Sequence, residues 1–306
     1  MFSGIRAQDG IFLSNLGDIE NRISKTNQQV TSGIRVATAA DDPSAVMPIL
    51  QYQSQIDRLT QVNTNLQQAN TEATAADAAL QSATTIMDQL VSIASRGITG
   101  QATANDRADL GLQVQQLQNQ LVSIANTSMS DRFVFGGDNA NVQPYTFDWS
   151  QPSGVVSNSA SSATMQLSDG NGSSITSGMT AAQIFDLRNP DGTAASGNIF
   201  QAVHDLGQAL GNNDQAGIQT ALDAVKEGAA HLGQASVFYG NVENWITQAT
   251  NNANNQLSPL QQALSAVQDV DMPAAITQLT SDQTALQVSL SAHASLSSKT
   301  LFDYLG

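Results

Sequence analysis

"QVNTNLQQANTEATAADAAL", residues 61–80, is the stretch whose reading decides the fold. Taken in alternating steps of three and four, it gives Asn63, Leu66, Asn70, Ala73, Asp77 and Leu80. That spacing marks one face of an amphipathic helix. Half of the face is apolar and half is polar, so the repeat is kept while every second position of the seam is spoiled. A seam of leucine alone would favour indiscriminate self-association. Polar residues on a packing face fix register at some cost in stability. Small residues such as Ala73 and Ala76 let another helix come close.

The same repeat extends outward in both directions. Upstream it takes in Ile49, Tyr52, Ile56 and Leu59; downstream it takes in Thr84, Met87, Val91 and Ala94. A helix of about fifty residues would span roughly 75 Å at 1.5 Å per residue, a length suited to a rod. Asp42 and Pro43 read as an N-cap followed by proline at the first helical position. Pro48 then predicts a short first turn, with the main helix starting or kinking near it. Gly97 and Gly100 end the repeat. Thr103 and Asp106 read as the capping stretch of a further helix carrying Leu110, Val114, Leu117, Leu121 and Ile124.

Ahead of this block, Phe12, Leu16, Ile19, Ile23, Thr26 and Val30 follow the same period until Gly33 breaks it. Beyond it the character changes. "RFVFGGDNANVQPYTFDW" reads as a hairpin, and "ATMQLSDGNGSSITSG" reads as a second hairpin around its Asp-Gly-Asn-Gly turn. Helix returns at Ile199. A second long repeat runs Ile218, Leu222, Val225, Ala229, Leu232, Ser236, Tyr239, Glu243, Ile246, Thr250, Ala253 and on to Val267, with Pro259 predicted to kink it. A last helix opens near Asp271 and Pro273, with Ile276, Leu279, Leu286 and Leu290 on one face.

The expected fold is therefore mainly α. Both terminal regions form a long antiparallel bundle or coiled-coil rod, and a small β-rich domain is inserted between them. Residues 1–40 and 271–306 are expected to be terminal assembly helices. Residues 41–132 and 196–270 are the rod, and 133–195 a variable β-rich outer domain.

Composition narrows the function. Charged residues are 12% of the 306, against about 25% in ordinary domains, and the net charge is -15. An acidic chain is a poor match for a nucleic-acid backbone. Nothing reaches the length of a membrane-spanning apolar run, so no membrane insertion is expected. With no cysteine there is no disulfide, thiolate metal site or thiol nucleophile. His204, His231 and His293 lie far apart and read as helix-surface residues. No phosphate-cradling loop precedes a helix, and Asp41 with Asp42 is explained by capping. No enzyme activity, cofactor or metal is expected. The start of the chain lacks the pattern of a cleaved signal peptide.

"TSGIRVATAADDPSA" resembles the first conserved block of the bacterial flagellin family, through Ser32, Gly33, Arg35, Asp41, Asp42 and Pro43. "NDRADLGLQVQQLQNQLVSIANTSMSDRFVFGG" is similar to the following helix and hairpin, and the ending "TLFDYLG" resembles members that join hook to filament more than filament-forming flagellins. Pro48 and Gly306 depart from the family pattern. The resemblance covers residues 1–140 and about 200–306. It implies a structural, extracellular part at the hook–filament junction of the flagellum, exported without a cleaved signal. Filament-forming flagellin is the alternative. It implies a homo-oligomeric ring with flagellin, another hook-associated protein, an export chaperone and the type III export apparatus as partners. It also makes the terminal stripes an assembly interface: Phe12, Leu16, Ile19, Ile23 and Val30 at one end, and Ile276, Leu279, Leu286, Leu290, Leu301, Phe302, Tyr304 and Leu305 at the other. A secreted adhesin and a helical enzyme are the readings from other classes.

Overall fold

A computed structural model describes residues 2–158, 161 and 163–305, with side chains except at 2–8 and 296–305. Seven helices account for most of it: α1 Phe2–Ser32, α2 Pro43–Ile98, α3 Ala104–Ala125, α4 Ala181–Phe185, α5 Ile199–Gly211, α6 Gln215–Gln268 and α7 Met272–Leu305. Six short strands lie between α3 and α4: β1 Ser128–Met129, β2 Arg132–Phe133, β3 Tyr145–Phe147, β4 Val155–Ser157, β5 Gln166–Ser168 and β6 Ser174–Thr176. They pair in sequence as three antiparallel hairpins. The mainly helical fold with a small β region is as the sequence indicates. The chain divides into two compact units. A terminal unit comprises residues 1–58 and 256–306, and a middle unit comprises 59–255.

Helix starts follow their caps. The Asp42 carboxylate accepts from the Ser44 amide at 3.2 Å, and Pro43 is the first helical residue of α2. Thr103 and Asp106 form a reciprocal capping box at α3, each satisfying the other's backbone amide. Pro48 neither starts nor divides α2, contrary to expectation, and α6 likewise continues through Pro259. A proline inside the second turn of a helix forfeits the bond to the carbonyl four residues back. The buried neighbours Ala45 and Ile49, packed with Leu264 and Val267, hold that first stretch in helical form.

The middle unit has one core, and its helical seam corrects the reading of residues 61–80. The buried face of α2 includes Leu66, Ala69, Ala73, Ala76, Leu80, Ala83, Met87, Leu90 and Ala94, with Leu59, Ala79, Ile86 and Ile93 also buried. Alternate members match the expected repeat. Asn63, Asn70, Asp77, Thr84 and Val91 do not belong to the buried face: Asn70 is exposed and the other four are half-buried. On α6 the same slip of one residue puts Gly228, Ala235, Val242 and Ala249 inside, in place of Ala229, Ser236, Glu243 and Thr250. Residues three and four after a buried one both lie near its face at 3.6 per turn. The polar residues flank the seam instead. Asn63 donates to Asn254 at 2.9 Å, and Thr74 donates to Glu243 at 3.3 Å.

The hairpin segment shares this core. Phe135, Tyr145, Leu167, Ile184 and Phe185 are buried in the cluster that holds Leu121, Phe200 and Tyr239. The second predicted hairpin is present, with Leu167 opposite Ile175. Its turn is held by Asp169, whose carboxylate accepts from the amides of Asn171 and Ser173 at 2.8 and 3.0 Å. Buried Asp186 takes hydrogen bonds from Tyr145, Asn198 and Arg188. Burial, and then the charge of Asp186, push the Tyr145 hydroxyl well above its ordinary value. His204 is not a surface residue. It is buried, with its ring 4.7 Å from that of Trp149.

Gly111 faces Gly207 where α3 crosses α5. A methyl group on Gly111 would meet the Gly207 carbonyl oxygen at 3.2 Å, so a larger residue there would require the two helices to shift by a few tenths of an ångström.

These placements separate the true seam from its flank. Ala76→Leu overfills the seam and should lower unfolding free energy by about 1–3 kcal/mol. Asn70→Ala, on the exposed side, should change it by less than about 0.5 kcal/mol. Denaturant unfolding of the two variants measures both.

Candidate assembly interface

The terminal unit is built around residues 33–42, the block that connects α1 to α2. Gly33 has φ +75°, a left-handed conformation that ends α1. The chain then pairs briefly with the end of α6. The amides of Arg35 and Val36 donate to the Gln268 carbonyl at 2.7 and 3.2 Å, and the Val270 amide donates to the Gly33 carbonyl at 2.9 Å. The Arg35 guanidinium donates to the Val267 carbonyl at 2.7 Å and to the Asp42 carboxylate at 3.2 Å. A cation on the last carbonyls of a helix is favoured by their partial negative charge.

Asp41 ties the block back to α1. Its carboxylate lies 2.9 Å from the Lys25 ammonium and accepts from the Thr38 amide at 2.9 Å and hydroxyl at 3.0 Å. The Lys25 bond, followed by those of Thr38, holds its carboxyl well below the usual range. Asp42 is lowered too, first by the Ser44 hydroxyl and then by Arg35. Ser32 receives the Ile34 amide at 3.2 Å and donates to the Gln28 carbonyl at 2.8 Å. The resemblance block Ser32, Gly33, Arg35, Asp41, Asp42 and Pro43 thus comes together as one set of caps and ties. Its carboxylates are engaged in hydrogen bonds. Among the described residues no group of His, Asp or Glu could hold a metal, and no helix is long and apolar enough to cross a membrane.

Helices α1 and α7 pack on each other. Asp282 is buried on α7. Its carboxylate accepts from the Arg22 guanidinium at 3.0 and 3.2 Å and from the Gln278 side-chain amide at 3.1 Å. Phe12 stacks on His293 with ring centres 4.0 Å apart. Of the stripe residues, Ile19 is buried, while Phe12, Leu16, Ile23, Val30, Leu279 and Leu286 are half-buried. Ile276 and Leu290 remain about half exposed, at 49% and 48%. The side chains of Leu301, Phe302, Tyr304 and Leu305 lie outside the described residues.

Two features escape a reading of the sequence. Arg22 and Asp282 break the apolar pattern of their helices, so a search for greasy stripes passes over them. The second is an uncharged outer groove on α7, lined by Ile276, Thr280, Ser281, Thr284 and Val288. Val288 is 62% exposed there. Asp282 is the only charged residue between positions 272 and 298, and it faces α1. A groove on α1 runs along Glu20, Ile23, Asn27 and Thr31 with Leu286 at its side.

Comparison with known proteins finds two family matches. Residues 9–140 match the bacterial flagellin N-terminal helical region, and 216–305 match the bacterial flagellin C-terminal helical region. The chain is 26% identical to flagellar hook-associated protein 3 of Escherichia coli (strain K12) over 305 residues, covering 91% of both chains. It is 22% identical to a flagellin of Halalkalibacterium halodurans over 258 residues, covering 84% of this chain and 82% of that one. In fold it is similar to the crystal structure of flagellar hook-associated protein 3 from Legionella pneumophila. The TM-score is 0.61 at 16% identity, over 72% of this chain and 98% of that one.

The Arg22–Asp282 pair should couple α1 to α7 in a pH-dependent way. Gln278, and then Arg22, hold the Asp282 carboxyl below its ordinary value. Its contribution is therefore complete above the ordinary carboxylate range and is lost as pH falls through the lower folded-state value. Arg22 is half exposed, so water limits the coupling to about 0.5–1 kcal/mol. A double-mutant cycle with Arg22→Ala and Asp282→Ala, read by thermal unfolding, should show that coupling at pH 7. It should be near zero once Asp282 is protonated.

Proposed function

Because its two ends match the two helical regions of flagellins, the chain belongs to the bacterial flagellin family, and we propose that it is the junction subunit that joins hook to filament. It is a structural component of the bacterial flagellum. Its work is polymer packing: α1 and α7 of each copy bury their open grooves against neighbouring copies. The observation that carries this reading is the outer face of α7. A helix surface meant for water carries charge, whereas this one has Ile276, Thr280, Thr284 and Val288 and no charged residue. Surfaces buried between subunits are poor in charge for the same reason that cores are.

The choice of junction over filament is supported by the match to hook-associated protein 3 along 91% of both chains, and by the ending "TLFDYLG". The proposed partners are other copies in a ring, flagellin on one side, and another hook-associated protein on the other. A flagellar export chaperone and the type III export apparatus would deliver the chain. The Leu16, Ile19, Ile23 and Val30 stripe then has two duties. Ile19 closes the α1–α7 pair within one copy, and the half-buried members complete their burial between copies.

Reconstitution on isolated hooks tests the assignment. The protein should add as a short ring that stops and then accepts flagellin. Growth of long filaments from this protein alone would identify a filament flagellin instead. The double variant Ile276→Asp with Val288→Asp should fail to join the ring, since each would bury an unpaired charge. Its middle unit should unfold at the same denaturant concentration as the parent.

A further inference from the structure

Three of the chain's seven methionines line one cavity in the middle unit. Met129 comes from β1, Met165 from just before β5, and Met179 from just before α4. Glu72 of α2, Arg132 of β2 and Tyr239 of α6 also line it, among others. The cavity measures about 50 Å³. A water needs roughly 10–15 Å³ by that measure, so a molecule the size of hydrogen peroxide has room. Met165 is 51% exposed, and Met129 and Met179 are half-buried. Met87, in the seam of α2, is fully buried.

We propose that this cavity is a methionine-oxidation site, at which a peroxide-class oxidant converts Met129, Met165 and Met179 to sulfoxides and loosens the hairpins around it. A thioether has no proton to lose and is nucleophilic at any pH. Its sulfur lone pair attacks one peroxide oxygen. The O–O bond breaks and an S–O bond forms. The departing hydroxide takes the proton left on the transferred oxygen and leaves as water. The sulfur is oxidised by two electrons and the peroxide is reduced by two. The sulfoxide is polar where the thioether was apolar, and it is a substrate for methionine sulfoxide reductases.

Two local features make the wall sensitive. Ser130 and Asp131, the turn between β1 and β2, have φ of 50° and 61°. Both are exposed, and positive φ at both positions is what a two-residue hairpin turn requires; with no glycine there, the turn directly beside Met129 has little reserve. Met179 is tied down by its amide, which donates to the Tyr239 hydroxyl at 3.0 Å. A sulfoxide oxygen beside it is a strong new acceptor. The Arg132 guanidinium lines the same wall and can donate to it. The Tyr239 hydroxyl, whose pKa burial pushes up to about 12, keeps its proton and can donate as well.

The inference is independent of the flagellar role. Treat the purified protein with dilute hydrogen peroxide, then follow oxygen uptake by peptide mass spectrometry and hydrogen exchange of residues 128–134 and 163–179. Met129, Met165 and Met179 should oxidise several-fold faster than Met87, and exchange in both segments should rise. Reductase treatment should reverse the change. A variant with Met129→Leu, Met165→Leu and Met179→Leu keeps side-chain volume. Under the same treatment its exchange in these segments should not move, although Met47 and Met272 of the terminal unit still oxidise. Oxidation of the three no faster than Met87, unchanged exchange in the oxidised parent, or equal loosening in the leucine variant would each overturn the proposal.

Discussion

Asp282 is the only charged residue between positions 272 and 298, and it is turned onto Arg22 of the facing helix. A carboxylate buried without a partner would be costly, so the pair favours the register in which Arg22 reaches Asp282. Once the register is set, the remaining surface of α7 carries no charge over that whole span. Uncharged hydroxyl and aliphatic side chains can be covered by another protein without stripping water from an ion. The same choice leaves the helix with little to stabilise it alone. Helices without tertiary burial are marginal in water, and α1 and α7 have mainly each other. On the proposed function, neighbouring copies complete that burial.

The middle unit solves the opposite problem. Alanine and glycine on α2 and α6 alternate with larger residues such as Leu66, Leu80, Met87 and Leu90 in one shared core. Aromatic residues of the hairpin segment close the same core. Polar pairs such as Asn63 with Asn254 sit at its edge. The two units thus differ in where their burial is found: within one chain for the middle, and only partly so for the terminal helices.

Much of this is legible in residue order. Periodicity finds the long helices, because a strict repeat of three and four over many turns matches the helical period and no strand. Caps are legible because Asp42, Thr103 and Asp106 satisfy amides by local geometry alone. The phase of the seam is not legible. Positions three and four beyond a buried leucine are nearly equivalent on a single helix, and the facing helix chooses between Ala76 and Asp77. The tie from Arg35 to the end of α6 joins residues more than two hundred positions apart, so no local pattern records it. His204 resembles a surface residue because nothing near it in sequence announces Trp149. Pro48 disturbs its helix less than its chemistry suggests, because the packing that tolerates it comes from Leu264 and Val267. The block Ser32 to Pro43 is visible as a resemblance, but its physical content emerges only as distances.

The most direct test of incomplete terminal helices is amide hydrogen exchange on the same protein, free in dilute solution and then built into its ring. Amides of residues 9–32 and 272–295 should exchange far faster than those of 66–94 in the free chain. They should become comparably protected after assembly. If the terminal amides of the free chain are already as slow as those of the α2 seam, the single chain buries its own ends, and assembly by covering them is wrong.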